Sequence, residues 1–302
     1  IINIISSLHK ATNQQLLDRV ALEFEAASRV TIVRDLNVLV KQKLIKKYGE
    51  GRGVYYKPAA APLLRIFDTD LYFQEETDQR VIRGEKIFFE TPSLWENIFS
   101  LKELHRIENI TETYRKRFSA YKPPQIKKEL ERITIEFSWK SSHIEGNTYS
   151  LLDTEQLIKE HREAKGKTPD EAHMILNHKR ALEYAWNNPA HFRTISVRKI
   201  EEIHSLIVHD LNIIKGLRKR PVGIIGTRYR PYDNIHQIRD ATEYLCHLLN
   251  TIKHPFIKAC IGVAGMSYIQ PFEDGNKRTS RLLGNAILLA HGYCPLSYRS
   301  ID

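Results

Sequence analysis

Apolar residues recur every three or four positions along most of this chain, a spacing typical of amphipathic helices. The pattern is most regular from residue 101 onward, where polar residues fill the intervening positions. It predicts a mainly α-helical body. The predicted helices there span residues 101–118, 124–145, 153–161, 170–187, 196–211, 236–252, 255–268 and 276–291.

One clear strand signal interrupts this helical pattern. Two short runs of extended-favouring residues flank Gly226 between Pro221 and Asp233. Glycine permits the tight reversal that joins two paired strands. The segment is therefore predicted to form a β-hairpin.

The first sixty residues have a different organisation. Two amphipathic helices are predicted, the first beginning near Thr12 and the second capped by Ser28. Two short strand patterns follow, separated by the glycine-rich turn 49–53. Two helices and a hairpin predict a winged helix-turn-helix domain over residues 1–60. The apolar positions are Leu16, Leu17, Val20 and Ala21 in the first helix, and Val30, Val33, Leu36, Leu39 and Val40 in the second.

The charge of this segment indicates a polyanionic partner. Residues 1–60 hold ten lysines and arginines against five acidic residues, so half of the net charge of +10 lies in a fifth of the chain. In a winged helix the second helix enters the DNA major groove and the wing tip meets phosphate. Duplex DNA is the predicted partner, and a protein-binding module is the alternative. The residues expected to contact DNA are Ser28, Arg29, Thr31, Arg34 and Arg52.

Residues 61–101 lose the periodicity and are interpreted as a linker, so the helical domain is expected over residues 102–302. The sequence has no apolar run long enough to cross a bilayer, and its three cysteines lie at neither metal-ligand nor redox spacing. A cytoplasmic protein with reduced thiols is expected. The first residue is not methionine, and we expect residues to be missing from both ends.

The richest chemistry lies in the segment Gln-Pro-Phe-Glu-Asp-Gly-Asn-Lys-Arg-Thr-Ser-Arg, which enters the last predicted helix. Asp274 is a hard oxygen ligand suited to Mg²⁺. Gly275 and Asn276 let backbone N–H groups face an anion at a helix start, and Arg278 and Arg281 share a helix face. The spacing predicts a triphosphate and metal site; the alternative is a buried helix start with surface arginines. The apolar stripe opposite is Phe272, Leu282, Leu283, Ile287 and Leu288.

This segment resembles the Fic motif, His-x-Phe-x-Asp/Glu-Gly-Asn-Gly/Lys-Arg-x-x-Arg, at every defining position except the first. Gln270 stands where the motif has histidine. The resemblance implies a helical Fic domain that transfers AMP from ATP to a Ser, Thr or Tyr hydroxyl of a protein, with Asp274 holding Mg²⁺. The residues that it implies for ATP binding are Gly275, Asn276, Lys277, Arg278 and Arg281.

The resemblance also gives the predicted hairpin a role. Its position matches the Fic flap, which clamps a target segment by pairing with it as an added strand. An ordinary surface hairpin is the alternative. The flap residues are Val222, Gly223, Ile224, Ile225, Gly226 and Thr227.

A second signature lies upstream, in a predicted inhibitory helix near residues 130–146. Ser141 and Glu145 are spaced i,i+4 and share one helix face, while Gly146 suits a left-handed helix end. They match the inhibitory motif Ser/Thr-x-x-x-Glu-Gly/Asn of Fic proteins. The resemblance implies that Glu145 pairs with Arg281 and keeps it from the γ-phosphate. A solvated charge at a helix end is the alternative.

Gln270 leaves the chemistry open, because an amide cannot take a proton near neutral pH, whereas the motif histidine is implied to deprotonate the target hydroxyl. The chain could be an impaired AMP-transferase, or another group such as Glu145 could act. It could also be a catalytically inactive, nucleotide-binding regulator of transcription that binds DNA. Lys277 leaves a further alternative open, because the Lys-Arg pair resembles that of kinase-like Fic relatives that transfer the γ-phosphate. Those relatives generally lack the last arginine of the motif, whereas Arg281 is present here, so AMP transfer is preferred. The target and the oligomeric state stay open.

Overall fold

The computed structural model describes residues 1, 4–5, 8, 10–23, 28–41, 45–58, 74, 76, 98–224 and 229–300. The chain divides into two units, Ile1–His105 and Arg106–Asp302. Helices account for most of the described residues, which confirms the predicted mainly α-helical class.

The first unit contains two helices and a small antiparallel sheet. Its three strands lie in the order first, third, second along the chain, and Lys46 pairs with Lys57 across the hairpin. Gly49 begins the turn with a φ of 77°, and a Cβ there would lie 2.5 Å from Gly53 O, so the turn requires glycine. The elements in chain order are β1 Ala11–Thr12, α1 Asn13–Glu23, α2 Arg29–Lys41, β2 Ile45–Tyr48 and β3 Tyr55–Pro58.

The core of this unit corrects one expectation from the sequence. Helix α2 packs through Ile32 and Leu36, which share a buried cluster with Leu16. Val30, expected in the apolar stripe, is 79% exposed. It precedes Ile32 by two residues, which is about 200° around a helix, so the two side chains lie on opposite sides.

The other helices of the described chain lie close to their predicted bounds, and capping explains two of the starts. Ser150 Oγ accepts a hydrogen bond from Asp153 N at 3.0 Å, and Thr168 Oγ1 accepts one from Glu171 N at 3.3 Å. The helices are α3 Leu101–Ser119, α4 Pro123–His143, α5 Leu151–Glu160, α6 Pro169–Asn187, α7 Val197–Ile207, α8 Ile235–Thr251, α9 Pro255–Ile269 and α10 Asn276–Ala290.

Helix α7 ends earlier than the sequence predicts. The apolar pattern favoured a helix over residues 196–211, but the helix ends at Ile207. Asp210 and Asn212 follow with positive φ angles of 58° and 52°. These residue types tolerate the left-handed conformation, so they end the helix even though the apolar spacing continues.

Helix α10 is buried on nearly every side. Its polar face is covered as well as its apolar face: Arg278 is 3% exposed and Arg281 is 7% exposed. This excludes the alternative of a helix start with surface arginines. The predicted apolar stripe is also buried, and it consists of Phe272, Leu282, Leu283, Ile287 and Leu288.

The predicted hairpin between α7 and α8 does not appear in the residues that the structure describes there. No strand is assigned to residues 221–224, which include Val222, Gly223 and Ile224, or to residues 229–233. A strand needs a hydrogen-bonded partner, and an extended sequence pattern alone does not supply one. Outside the described residues lie Ile225, Gly226, Thr227 and most of the predicted linker 61–101.

Candidate nucleotide and metal site

The loop between α9 and α10 carries most of the predicted site residues. Gln270 adopts the left-handed conformation, with φ 50° and ψ 60°, and Gly275 has a φ of 77°. A Cβ at position 275 would lie 3.0 Å from Val208 Cγ1, so glycine is needed here for both φ and space. Asn276 closes the loop, because its Oδ1 accepts from Phe272 N and its Nδ2 donates to Phe272 O, both at 2.8 Å.

The side chain of Asn276 therefore has a different role from the one the sequence suggested. Its polar atoms bond the backbone of Phe272 rather than facing a phosphate. What Asn276 can offer an anion is its backbone N–H at the start of α10, together with those of Lys277 and Arg278, since the first N–H groups of a helix have no intrahelical acceptor. The Lys277 side chain is exposed.

Gln270 lies at the C-terminal end of α9 and is 6% exposed. Its Nε2 donates to Ser267 O at 2.6 Å, which folds the side chain back onto its own helix. The backbone oxygen of Gln270 accepts from Arg218 Nε, also at 2.6 Å. The residue is held from both sides, but it has no group that titrates near neutral pH.

Asp274 and Arg278 form an ion pair with one exposed and one buried partner. The distance from Arg278 Nη2 to Asp274 Oδ2 is 3.2 Å, and the two side chains are 4% and 65% exposed. Burial lowers the pKa of Arg278, and its Nη1 has no hydrogen-bond partner. A buried donor without an acceptor, beside an exposed carboxylate, fits a phosphate group that carries Mg²⁺.

Arg281 is bound by the C-terminal end of α4. Its Nη2 donates to Glu145 Oε1 at 2.7 Å and to Ser141 O at 2.9 Å, while its Nε donates to Ser141 Oγ at 2.9 Å. The Arg281 and Glu145 side chains are 9% and 21% exposed. Gly146 follows with a φ of 90°. Glu145 and Arg281 thus form a largely buried ion pair between residues 136 positions apart.

Two buried histidines support these groups, and the sequence analysis did not single them out. His178 Nε2 lies 2.8 Å from Ser141 Oγ, and burial lowers the pKa of His178 to about 3. His204 stacks on Phe272 with 3.7 Å between ring centroids, and its Nε2 donates to Asp274 O at 3.0 Å. Burial lowers the pKa of His204 to about 4. The only available signal was a polar residue on an apolar helix face, which usually marks a satisfied core histidine.

Arg218 is a further residue that the sequence analysis missed. It is 1% exposed, and burial lowers its pKa. Its guanidinium donates to the backbone oxygens of Gln270 at 2.6 Å, Arg220 at 2.8 Å and Tyr232. Its own N–H donates to Pro271 O at 2.9 Å. Arg218 therefore ties both ends of the predicted flap to the loop before α10.

The residues predicted to contact DNA belong to the first unit. Ser28 caps α2, because its Oγ accepts from Thr31 N at 3.2 Å. Arg29 is exposed, and the Arg34 side chain is 74% exposed. The side chain of Arg52 lies outside the described residues.

Within the described ranges, no three His, Cys, Asp or Glu side chains converge as a metal site. A Mg²⁺ ion would therefore depend on Asp274 together with phosphate oxygens, an arrangement common for this ion. No described helix is long and apolar enough to span a membrane.

Comparison with protein families gives a match to the Fic/DOC family over residues 194–288. The chain is 28% identical over 181 residues to "Protein adenylyltransferase Fic" of Nematostella vectensis, which is 59% of this chain and 42% of the relative. It is 30% identical over 161 residues to the protein of the same name in Drosophila melanogaster, which is 52% of this chain and 33% of the relative. The chain thus spans less than half the length of these relatives.

Solved structures share the fold. A Fic domain containing signaling protein from Bacteroides thetaiotaomicron superposes with a TM-score of 0.55 at 24% identity, covering 62% of this chain and 74% of that protein. Fic-1 from C. elegans superposes with a TM-score of 0.54 at 22% identity, covering 66% of this chain and 62% of that one.

Proposed function

We propose that the second unit is a Fic domain that binds ATP with Mg²⁺ and transfers AMP to a Ser, Thr or Tyr hydroxyl of a protein, because residues 194–288 match the Fic/DOC family. The name shared by the similar proteins, protein adenylyltransferase, supports this reaction. The observation that carries the proposal is the placement of buried Arg278 and Arg281 at the start of α10, beside the exposed carboxylate of Asp274.

In this reaction the target hydroxyl oxygen bonds to the α-phosphorus, the bond from that phosphorus to its bridging oxygen breaks, and pyrophosphate leaves. Asp274 would hold Mg²⁺, which neutralises negative charge on the phosphates. Arg278 Nη1 and the backbone N–H groups at the start of α10 are donors available to phosphate oxygens. Positioning and charge stabilisation are what phosphoryl-type transfers chiefly require of a protein.

Gln270 limits the rate in this proposal. The target hydroxyl must lose its proton, and the amide of Gln270 cannot accept it, so the proton passes to water. The absence of a general base costs about 10²–10⁴-fold in rate. The chain is therefore a slow AMP-transferase.

Glu145 restrains the site as well. Its carboxylate occupies Arg281 Nη2 at 2.7 Å, and a γ-phosphate would need that donor. The restraint by Glu145 and the absence of a base at Gln270 are independent of each other. Glu145 affects the positioning of the nucleotide, whereas Gln270 affects the removal of the proton from the target hydroxyl.

The proposal is tested by transfer of label from α-³²P-ATP with Mg²⁺, to the protein itself and to a cell lysate. We expect Gln270→His to raise labelling by about 10²–10⁴-fold and the double variant with Glu145→Gly to label more strongly still. Glu163→Gly, which removes an exposed glutamate outside the site, serves as the matched control and leaves labelling unchanged.

A parallel reaction with γ-³²P-ATP separates the alternatives. If protein is labelled by γ-³²P-ATP but not by α-³²P-ATP, the reaction is the kinase-like transfer of phosphate and not the transfer of AMP. If no variant is labelled by either form of ATP although ATP still binds, the proposed transfer reaction is contradicted. The alternative of a catalytically inactive, nucleotide-binding regulator would then be favoured.

A second function is supported by the exposed face of α2. We propose that the first unit is a winged helix that binds duplex DNA through this face. Val30 and Val38 are 79% and 45% exposed, beside the exposed Arg34. In the DNA major groove, apolar side chains contact thymine methyl groups and arginine side chains bind guanine. The exposed valines and arginine of α2 are therefore suited to contact the edges of base pairs there. Asp35, 3.6 Å from Arg34, offsets part of that positive charge.

Fluorescence anisotropy with labelled duplex DNA of mixed sequence tests this function. We expect binding at 50 mM salt that weakens steeply by 200 mM, since phosphate contacts release counterions. The double variant Arg34→Ala, Arg52→Ala should bind at least about tenfold more weakly. Lys127→Ala, Lys128→Ala, which removes two exposed charges from α4, is the control. No binding at low salt, or equal loss in both double variants, would favour a protein partner for this unit.

A further inference from the structure

A buried chain of hydrogen bonds runs from Arg281 into helix α6. Arg281 Nε donates to Ser141 Oγ at 2.9 Å, Ser141 Oγ lies 2.8 Å from His178 Nε2, and His178 Nδ1 lies 2.8 Å from Met174 O. Ser141 and His178 are 0% exposed. Because water does not reach these groups, the hydrogen bonds that they form with each other hold them in place.

The chemistry of the donors fixes the direction of this chain. A carbonyl oxygen can only accept, so His178 Nδ1 carries a hydrogen and donates to Met174 O. In the neutral ring Nε2 is then unprotonated and accepts from the Ser141 hydroxyl, whose oxygen in turn accepts from Arg281 Nε. Ser142 Oγ, 3.2 Å from the same Nδ1, is a weaker second acceptor. A single neutral tautomer therefore satisfies every member.

This chain does not depend on Glu145. Ser141 lies inside α4, which ends at His143, whereas Glu145 lies beyond the helix end. The carboxylate contacts Nη2 of Arg281, while Ser141 contacts both Nε and Nη2. Without the carboxylate, two hydrogen bonds to Ser141 would still hold the guanidinium.

We infer that His178 is a positioning residue: through Ser141 it fixes Arg281 in one place, whether Glu145 is paired with it or not. Relief of the restraint is then a movement of Glu145 alone, and Arg281 stays where a phosphate would meet it. This inference deepens the proposed nucleotide site and rests on it for its functional consequence.

The first test uses NMR and needs no nucleotide. In the Glu145→Gly protein, we expect the Arg281 Nε–H signal to remain and to exchange slowly with water. Adding His178→Leu removes the acceptor of the Ser141 hydroxyl and accelerates exchange at least about tenfold, whereas His178→Gln keeps an acceptor oxygen and retains slow exchange. Asn177→Ala is the matched control, because Asn177 is buried on the same helix but donates to Ile207 O and His209 O.

The second test measures the affinity of a fluorescent ATP analogue with Mg²⁺ in the same Glu145→Gly background. We expect about tenfold weaker binding with His178→Leu, the effect of leaving one buried hydroxyl without its hydrogen-bond acceptor, and nearly full affinity with His178→Gln and Asn177→Ala. Ser141→Ala, which removes the hydroxyl itself, gives the same two measurements if His178→Leu does not fold.

The outcomes separate the two proposals. Rapid exchange of Arg281 Nε–H as soon as Glu145 is removed would overturn the inference, as would identical behaviour of His178→Leu and Asn177→Ala. Absence of nucleotide binding in Glu145→Gly would overturn the proposed function, while the exchange measurement would still decide the role of His178.

Discussion

Two buried nitrogen atoms near the loop before α10 have no hydrogen-bond partner, and they differ in meaning. Arg278 Nη1 can only donate a hydrogen bond, and as part of a cationic group it is best satisfied by an anionic acceptor. His204 already donates through Nε2 to Asp274 O, so its Nδ1 is a bare acceptor. Because His204 is 0% exposed and stacked on Phe272, it could not reach the target hydroxyl of the proposed reaction or supply the base that this reaction lacks at Gln270.

His178 gives a prediction for the stability of the protein in acid. Burial lowers its pKa to about 3 in the folded chain, against an ordinary value of 6.5. Below pH 6.5 the unfolded chain therefore binds a proton that the folded chain excludes, so stability falls as pH drops from 6.5 toward 3. The loss is about 1.4 kcal/mol per pH unit.

Urea unfolding at pH 7.5 and pH 5.0 measures this effect. The native protein should lose about 2 kcal/mol more between these pH values than His178→Gln does. His247→Gln, which replaces an exposed histidine on α8, should lose as much as the native protein. Equal losses in all three proteins would show that His178 does not exclude its proton.

The residues of the site were predictable where they are neighbours in sequence. Asp274, Arg278 and Arg281 lie in one segment, so their spacing alone placed them together. His178, His204 and Arg218 were missed, because their partners are 37, 70 and 52 positions away. No local pattern reveals a contact over such separations. The Glu145–Arg281 pair was reached only through the resemblance to a family motif.

At the scale of elements, three segments meet at the site: the end of α4, the start of α10 and the connection between α7 and α8. Local sequence determines the helix starts through capping residues, and these were predicted to within two positions. Helix ends depend on where the backbone turns left-handed, which the apolar spacing does not encode; hence the error at α7. The connection is joined to the loop before α10 by Arg218, a tertiary contact.

Replacing Arg218 should loosen this connection. Arg218→Met fills similar space but leaves the carbonyls of Gln270, Arg220 and Tyr232 without their donor, and we expect about 2–4 kcal/mol of destabilisation in urea unfolding. Arg220→Met, an exposed neighbour whose backbone is unchanged, should cost less than about 0.5 kcal/mol. Similar losses for the two variants would mean that the buried guanidinium contributes nothing through these carbonyls.

At the scale of the whole molecule, the chain combines a first unit whose first sixty residues are basic with a second unit that carries the candidate nucleotide site. The sequence placed the start of the helical domain at residue 102, and the structure divides after His105. That the first unit is a winged helix stays a prediction. If nucleotide occupancy alters DNA affinity, DNA must alter nucleotide affinity by the same factor, so anisotropy with and without ATP tests the regulator directly.

In the proposed nucleotide site, the position of Glu145 beyond the end of α4 would make its carboxylate a tethered competitor for the nucleotide. An incoming phosphate would have to displace this carboxylate, whose effective concentration is set by the chain that holds it. The ATP level at which the site fills would then lie above the intrinsic dissociation constant of the site. Asn147, whose Nδ2 donates to Glu171 O at 2.8 Å, fastens that chain to α6. Changes in the segment that holds Glu145, rather than changes in residues that contact phosphate, would therefore set the ATP concentration at which this site fills.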